Sequence, residues 1–279
     1  MRSYYLTSVS THGRIVPVLR LIPIKSGFAQ DYNMDLSDRQ KALLKAIIEE
    51  YVDTAEPIGS ETIDKKHSLG VSPATIRNEM VRLTDMGYLR QPHTSAGRIP
   101  TSMGMRVYVS ELMKEKELPV AAEVSIKEKL WEQRVQRDRL LREAVKALAQ
   151  RCDMLGMALD DEGQSYCAGA ANILDWPEFY DIDVTRFVLK LFDEFPTLSE
   201  IIGKAQGSDP IHILFGEDME YENLRSTGFV FTRYELGPNA LGQTVGGVVG
   251  VIGPARMNFP LVIPYVKYIK NLLYEAGRV

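Results

Sequence analysis

Leu43, Leu44, Ile47, Ile48, Tyr51 and Val52 recur at spacings of three and four residues, the pattern of a helix with one apolar face. Ser37-Asp38-Arg39-Gln40 stands before it with capping-box spacing, and Glu56-Pro57 closes it. A short second helix is predicted from Glu61 to about His67, with Ser60 as its cap and Ile63 as its apolar anchor. Leu69-Gly70 makes a turn. Ser72-Pro73 then starts a third helix that runs to about Met86, where Gly87 suits a left-handed cap. Ile76, Met80 and Leu83 share one side of that helix; Ala74, Thr75, Arg77, Asn78, Val81 and Arg82 spread over the other. Two short extended runs, Tyr88 to Pro92 and Arg98 to Thr101, flank the polar tip His93-Thr94-Ser95-Ala96-Gly97 and predict a β-hairpin. Three helices followed by a two-stranded wing predict a winged helix-turn-helix.

The pattern changes after residue 101. A helix is expected over residues 102–118. A charged helix follows over 121–155, with Leu130, Val135, Leu140, Leu141, Val145 and Leu148 among its apolar positions. It reads equally as a connector or as a dimer-forming helix. Residues 178–206 read as helical, and Ile211 to Phe215, Phe229 to Phe231 and Val245 to Ile252 as strands. Leu261 to Ala276 reads as an amphipathic closing helix. Together these give an α+β chain in four parts. Residues 1–33 form an irregular extension, with Met34 the candidate initiator. Residues 34–101 form the winged helix, 102–155 the helical connector, and 156–279 a small α+β domain.

Composition adds limits. A chain of 279 residues that is 45% hydrophobic and 25% charged is long enough for about two globular domains. Cys152 and Cys167 are too few for a disulfide framework, and a reducing cytosol is the expected setting. The uncharged stretch from Leu236 to Ala255 holds six glycines and two prolines, so it is expected to form a hairpin, not a membrane helix.

Charge sharpens the picture. The formal net charge is −4, yet residues 65–106 hold seven basic side chains against two acidic ones. Residues 35–64 hold three against eight. Such a local field can hold a polyanion on a slightly acidic protein. Ala74, Thr75, Arg77 and Asn78 are therefore candidate base readers, since arginine can pair with guanine and asparagine with adenine. Lys65, Lys66, Ser72, Arg82, His93, Thr94, Ser95 and Arg98 are candidate backbone or wing contacts. Arg77 and Arg98 are both expected to be solvent-exposed.

Other clusters read as structural. The glycines from Gly246 to Gly253 lack a dinucleotide fingerprint and fit a buried strand. Glu217, Asp218, Glu220 and Glu222 lack a calcium-loop pattern and fit a solvated loop. His12, His67, His93 and His212 have no ligand spacing. No cofactor, metal or catalytic constellation is expected, so the chain reads as a binding protein and not an enzyme.

Several stretches resemble the heat-inducible transcription repressor HrcA family. They are Leu36 to Gln40, Thr54-Ala55-Glu56-Pro57-Ile58-Gly59-Ser60, Val71 to Met80, Leu83 to Leu89 and His93 to Thr101. A second block comprises Asn172-Ile173-Leu174, Pro177-Glu178-Phe179 and Gly250 to Met257. The resemblance implies a winged-helix DNA-binding domain, a GAF-like domain and a dimerising insertion. It also implies a homodimer on an inverted-repeat operator of double-stranded DNA that controls chaperone operons, with the GroEL chaperonin as partner. Between Leu155 and Gly169 the chain leaves little room for further strands or an insertion, so the GAF-like domain is expected to be shortened. The competing reading is a winged-helix protein-interaction or ligand-sensing regulator that does not bind an operator itself.

Overall fold

The computed structural model describes residues 36–67, 69–205, 209–238 and 244–278. The expectations for residues 1–33 and for Met34 lie outside the described residues. Helix α1 (Asp38–Thr54) starts with both arms of the capping box: the Gln40 amide donates to Ser37 Oγ, and the Ser37 amide donates to Gln40 Oε1. Its buried face holds Leu43, Leu44, Ile47 and Ile48, as the spacing predicted. Helix α2 (Ser60–Lys66) begins one residue early: Gly59 is the N-cap, and Ser60 is a buried first-turn residue, not a cap. Helix α3 (Pro73–Asp85) is capped by Ser72, whose hydroxyl accepts the Thr75 amide.

Strands β1 (Leu89–Arg90) and β2 (Ile99–Pro100) pair antiparallel and form the wing. A third stretch of backbone joins them. Ile58, between α1 and α2, exchanges both amide–carbonyl hydrogen bonds with Arg98, each at 2.9 Å. Gly97 is required beside this bridge, because a Cβ there would sit 2.4 Å from the Ile58 carbonyl oxygen.

Helix α4 (Ser102–Val107) passes into a single π-helical turn and stops at Leu112, short of the expected residue 118. The following Lys114-Glu115-Lys116-Glu117 is exposed throughout and offers no apolar face to pack. The expected helix over 121–155 is two helices, α5 (Val120–Glu132) and α6 (Arg137–Cys152). At the break, the Arg134 guanidinium donates to the Trp131 carbonyl and lies over the Trp131 ring. The apolar face of α6 is buried against the sheet that follows.

Residues 155–169 hold a complete hairpin, contrary to the expectation of little room: β3 (Leu155–Asp160) and β4 (Ser165–Ala168). A tight turn makes it fit. Asp160 Oδ1 accepts the amides of Glu162 and Gln164, Gly163 takes a φ of +86°, and Arg137 pairs with Asp161 and Glu162. The helical stretch expected over 178–206 is α7 (Ile182–Lys190) and α8 (Phe195–Gly203), preceded by two 3-10 turns. Then come β5 (His212–Phe215), β6 (Thr227–Pro238), β7 (Thr244–Pro254) and α9 (Phe259–Ala276).

The five strands form one antiparallel sheet in the order β4-β3-β7-β6-β5. Alternation along the strands divides their side chains between two faces. Ala158, Val230, Val249 and Val251 join the core shared with α6, α9 and the winged helix; Met157, Phe229, Phe231 and Ile252 pack with α7 and α8. The chain is therefore α+β, with a winged helix followed by a mixed helix-and-sheet domain. Among the described residues no helix is long and apolar enough to cross a membrane.

Candidate nucleic-acid interface

The winged helix presents the outer side of α3 because Ile76, Met80 and Leu83 are buried on the inner side. Ala74, Arg77 and Asn78 are exposed, and Val81 extends the same face. Thr75 is half-buried, with its hydroxyl 3.0 Å from Ser72 Oγ. Arg77 and Asn78 make no side-chain hydrogen bond or ion pair with the described residues. Their donors and acceptors are available to base edges, whose major-groove pattern identifies each base pair.

The surrounding cations are less available than their number suggests. Lys65 is exposed and has no partner among the described residues. Lys66 is exposed but pairs with Glu50, which also meets His67 Nε2 at 2.9 Å. The Lys66 hydrogen bond, aided by His67 and opposed by burial, holds the Glu50 carboxyl below its ordinary value. Arg82 is exposed and bonded at 3.1 Å to Glu79. That carboxylate is 6% exposed, and it also accepts from Gln40 at 3.1 Å and from Arg39 at 3.4 Å. Glu79 thus ties the start of α1 to α3. Arg39 and Gln40 lie about forty residues earlier in the chain, a separation at which local spacing carries no signal.

At the wing tip His93, Thr94 and Ser95 are exposed. The Gln91 amide fastens the loop from within by donating to the carbonyls of Thr94 and Ala96, and Ser95 Oγ lies 3.3 Å from His93 Nδ1. Arg98 corrects the expectation of full exposure. It is half-buried, and its Nε donates to Thr84 Oγ1 at 3.0 Å. The bridge to Ile58 fixes its backbone, so the guanidinium fastens the wing to the last turns of α3.

The sheet domain grips the winged helix at several points. Arg90 lies 3.7 Å from Glu217; Ser102 and Arg106 both bond Asp218. Arg256, buried, makes two hydrogen bonds to Glu178 and donates at 2.6 Å to the carbonyl of Val52, near the end of α1. The acidic residues Glu217 and Asp218, expected to be simply solvated, are therefore joints between the two parts. A cleft of about 440 Å³ lies between them. Its arginines are engaged: Arg256 with Glu178, Arg90 with Glu217 and Arg225 with Glu222. Among the described residues no group of histidine, cysteine or carboxylate side chains is arranged to hold a metal.

Two family models cover this architecture. "Winged helix-turn-helix transcription repressor, HrcA DNA-binding" matches residues 35–113, and "HrcA protein C terminal domain" matches residues 100–263. The chain belongs to the HrcA family of transcription repressors. The HrcA heat-inducible transcription repressor of Acetivibrio thermocellus is 27% identical, over 87% of this chain and 96% of its own. That of Symbiobacterium thermophilum is 28% identical, over 88% and 99%. Those alignments run to 343 and 344 positions, more than the 279 residues of this HrcA-family chain, so the relatives contain segments without a counterpart here. A crystal structure of a hypothetical protein superposes with a TM-score of 0.68 at 18% identity, over 87% of this chain and 98% of that one. It shares the fold.

Proposed function

We propose that this HrcA-family repressor acts as a cytoplasmic homodimer on double-stranded operator DNA with inverted-repeat symmetry, and that it lowers transcription of heat-shock chaperone operons. The carrying observation is the outer side of α3, where Arg77 and Asn78 stand exposed and without a partner among the described residues, beside the wing. In this reading Ala74, Thr75, Arg77 and Asn78 face base edges. Lys65, Lys66, Ser72, Arg82, His93, Thr94 and Ser95 face backbone phosphates, and Arg98 holds the wing in place. One winged helix covers one half-site, and a two-fold protein matches a palindromic site. The domain division proposed from the sequence, with a GAF-like sheet domain after residue 155, fits a DNA-binding head joined to its body through a shared apolar core. The GroEL chaperonin as partner is supported by the family resemblance alone.

Selection from a random duplex pool, followed by fluorescence-anisotropy titration at two salt concentrations, tests this. The selected duplexes should carry an inverted repeat and bind at least about 10³-fold more tightly than scrambled duplex. Affinity should fall steeply with salt as counterions are released. Equal affinity for selected and scrambled duplexes would reject operator recognition.

A further inference from the structure

Arg39 falls in the acidic segment of the chain, residues 35–64, and so stands outside the basic stretch that marks the winged helix. Folding changes its company. Arg39 Nη2 lies 3.4 Å from Glu79 Oε1, the same oxygen that accepts from Arg82 Nη1 at 3.1 Å. Two guanidinium groups, one from the first turn of α1 and one from α3, therefore stand side by side. Arg39 is 52% exposed and Arg82 65%, whereas the carboxylate that joins them is buried. Gln40 donates to the other carboxylate oxygen at 3.1 Å, which helps fix its orientation.

One carboxylate does not satisfy this pair. A guanidinium carries five N–H donors, and each arginine gives one to Glu79. The three side chains together keep one positive charge, and the remaining donors have no partner among the described residues. Adjacent guanidinium groups with spare donors suit a phosphate, whose oxygens can accept from both. Position selects the phosphate. At about 100° per residue, Arg82 lies about 40° round α3 from Asn78 and about 60° from Glu79, between the outer side and the buried flank. A helix about 10–12 Å across fills a major groove about 12 Å wide. With the outer side of α3 turned to base edges, side chains on this flank meet the groove wall, where the phosphates are.

We propose that Arg39 and Arg82 grip a single backbone phosphate of the DNA, with Glu79 as the positioning residue that holds them together. The pair rests on the operator reading above and adds Arg39, a residue of α1, to the contact surface. The grip reads no bases; it sets the orientation in which α3 enters the groove.

Fluorescence-anisotropy titrations of the full chain on selected and scrambled duplexes, over a salt series, test the grip. Arg39→Gln and Arg82→Gln should each weaken both duplexes by the same factor, about tenfold. The double change should lower the log–log salt slope by about 0.9, the value for one phosphate; two separate phosphates would lower it by about 1.8. Glu79→Gln removes a negative charge, and by field strength alone it would tighten DNA binding. Loss of the positioned pair should instead weaken binding about tenfold and lower the slope. Melting curves should show both arginine variants folded, since their side chains are exposed. If the parent prefers its selected duplex and Arg39→Gln changes neither affinity nor slope, the grip is overturned while operator recognition stands. A slope lowered by about 1.8 in the double change, or tighter binding by Glu79→Gln, also overturns it. A parent with equal affinity for both duplexes rejects operator recognition alone, and the slopes of the arginine variants still decide the grip. A parent that binds neither duplex overturns both.

Discussion

Arg77 and Arg98 are both cations of the winged helix, yet their surroundings assign them different work. Arg77 is exposed and has no partner among the described residues, so Arg77→Ala should cost about 1–3 kcal/mol on selected duplex and little on random duplex. Arg98 is held by Thr84, so Arg98→Ala should lower the stability of the free protein by about 0.5–1.5 kcal/mol in urea titrations. Equal losses of Arg77→Ala on both duplexes would remove α3 as the reader. A pH effect belongs to a third residue. His212 on β5 is buried against Phe231, and burial, aided by Arg233 and Lys270 and opposed by Asp209, pushes its pKa below 6.5. Its unfolded form then takes up a proton first as pH falls, so stability is intact above about 6.5 and is lost as pH drops towards the folded value. His212→Phe should flatten the melting temperature between pH 6.5 and 5; an unchanged profile would assign the loss elsewhere. At this scale the exposed side of α3 was legible because helical periodicity separates inner from outer positions. The Arg98 contact was not legible: it depends on a backbone bridge between residues forty apart, for which local spacing holds no signal.

Helices and strands were read well wherever one apolar face had one partner. The sequence pattern located α1, α3, α9 and the wing because their buried residues follow a single period. It ran α5 and α6 together because apolar residues continue through the break, where the Arg134 side chain donates to the Trp131 carbonyl. It missed the β3–β4 hairpin because a turn organised by one aspartate, Asp160, needs only a few residues. The wing provides the test at this scale. Gly97→Ala should force the Ile58 and Arg98 strands apart, since the contact is with backbone that cannot rotate away. Hydrogen exchange should show the Ile58 and Arg98 amides losing protection while α1 keeps its own. Unchanged protection at both amides would mean that the wing accommodates the methyl group.

The two halves of the molecule share an apolar core, and one buried ion pair secures the seam. Leu44 and Ile47 of α1 belong to the same cluster as Val251 and Val266 of the sheet domain. Arg256 and Glu178 belong to the second block of family resemblance, yet the sequence did not show that this block clasps the DNA-binding half. Arg256→Met leaves Glu178 and the Val52 carbonyl without their donor, and should cost about 3–5 kcal/mol in denaturant titrations. A loss near zero would mean that the surrounding core holds the seam alone. The clasp at Val52 and the Gln40–Glu79 bond sit near opposite ends of α1, about 18 Å apart along its axis at the usual rise. That makes α1 a lever with its fulcrum in the body and its tip on α3. A tilt of about 10° at the fulcrum moves the tip by about 3 Å, close to the rise of one base pair, about 3.4 Å. On the proposed function, a small change in the sheet domain would be enough to shift α3 out of step with the bases.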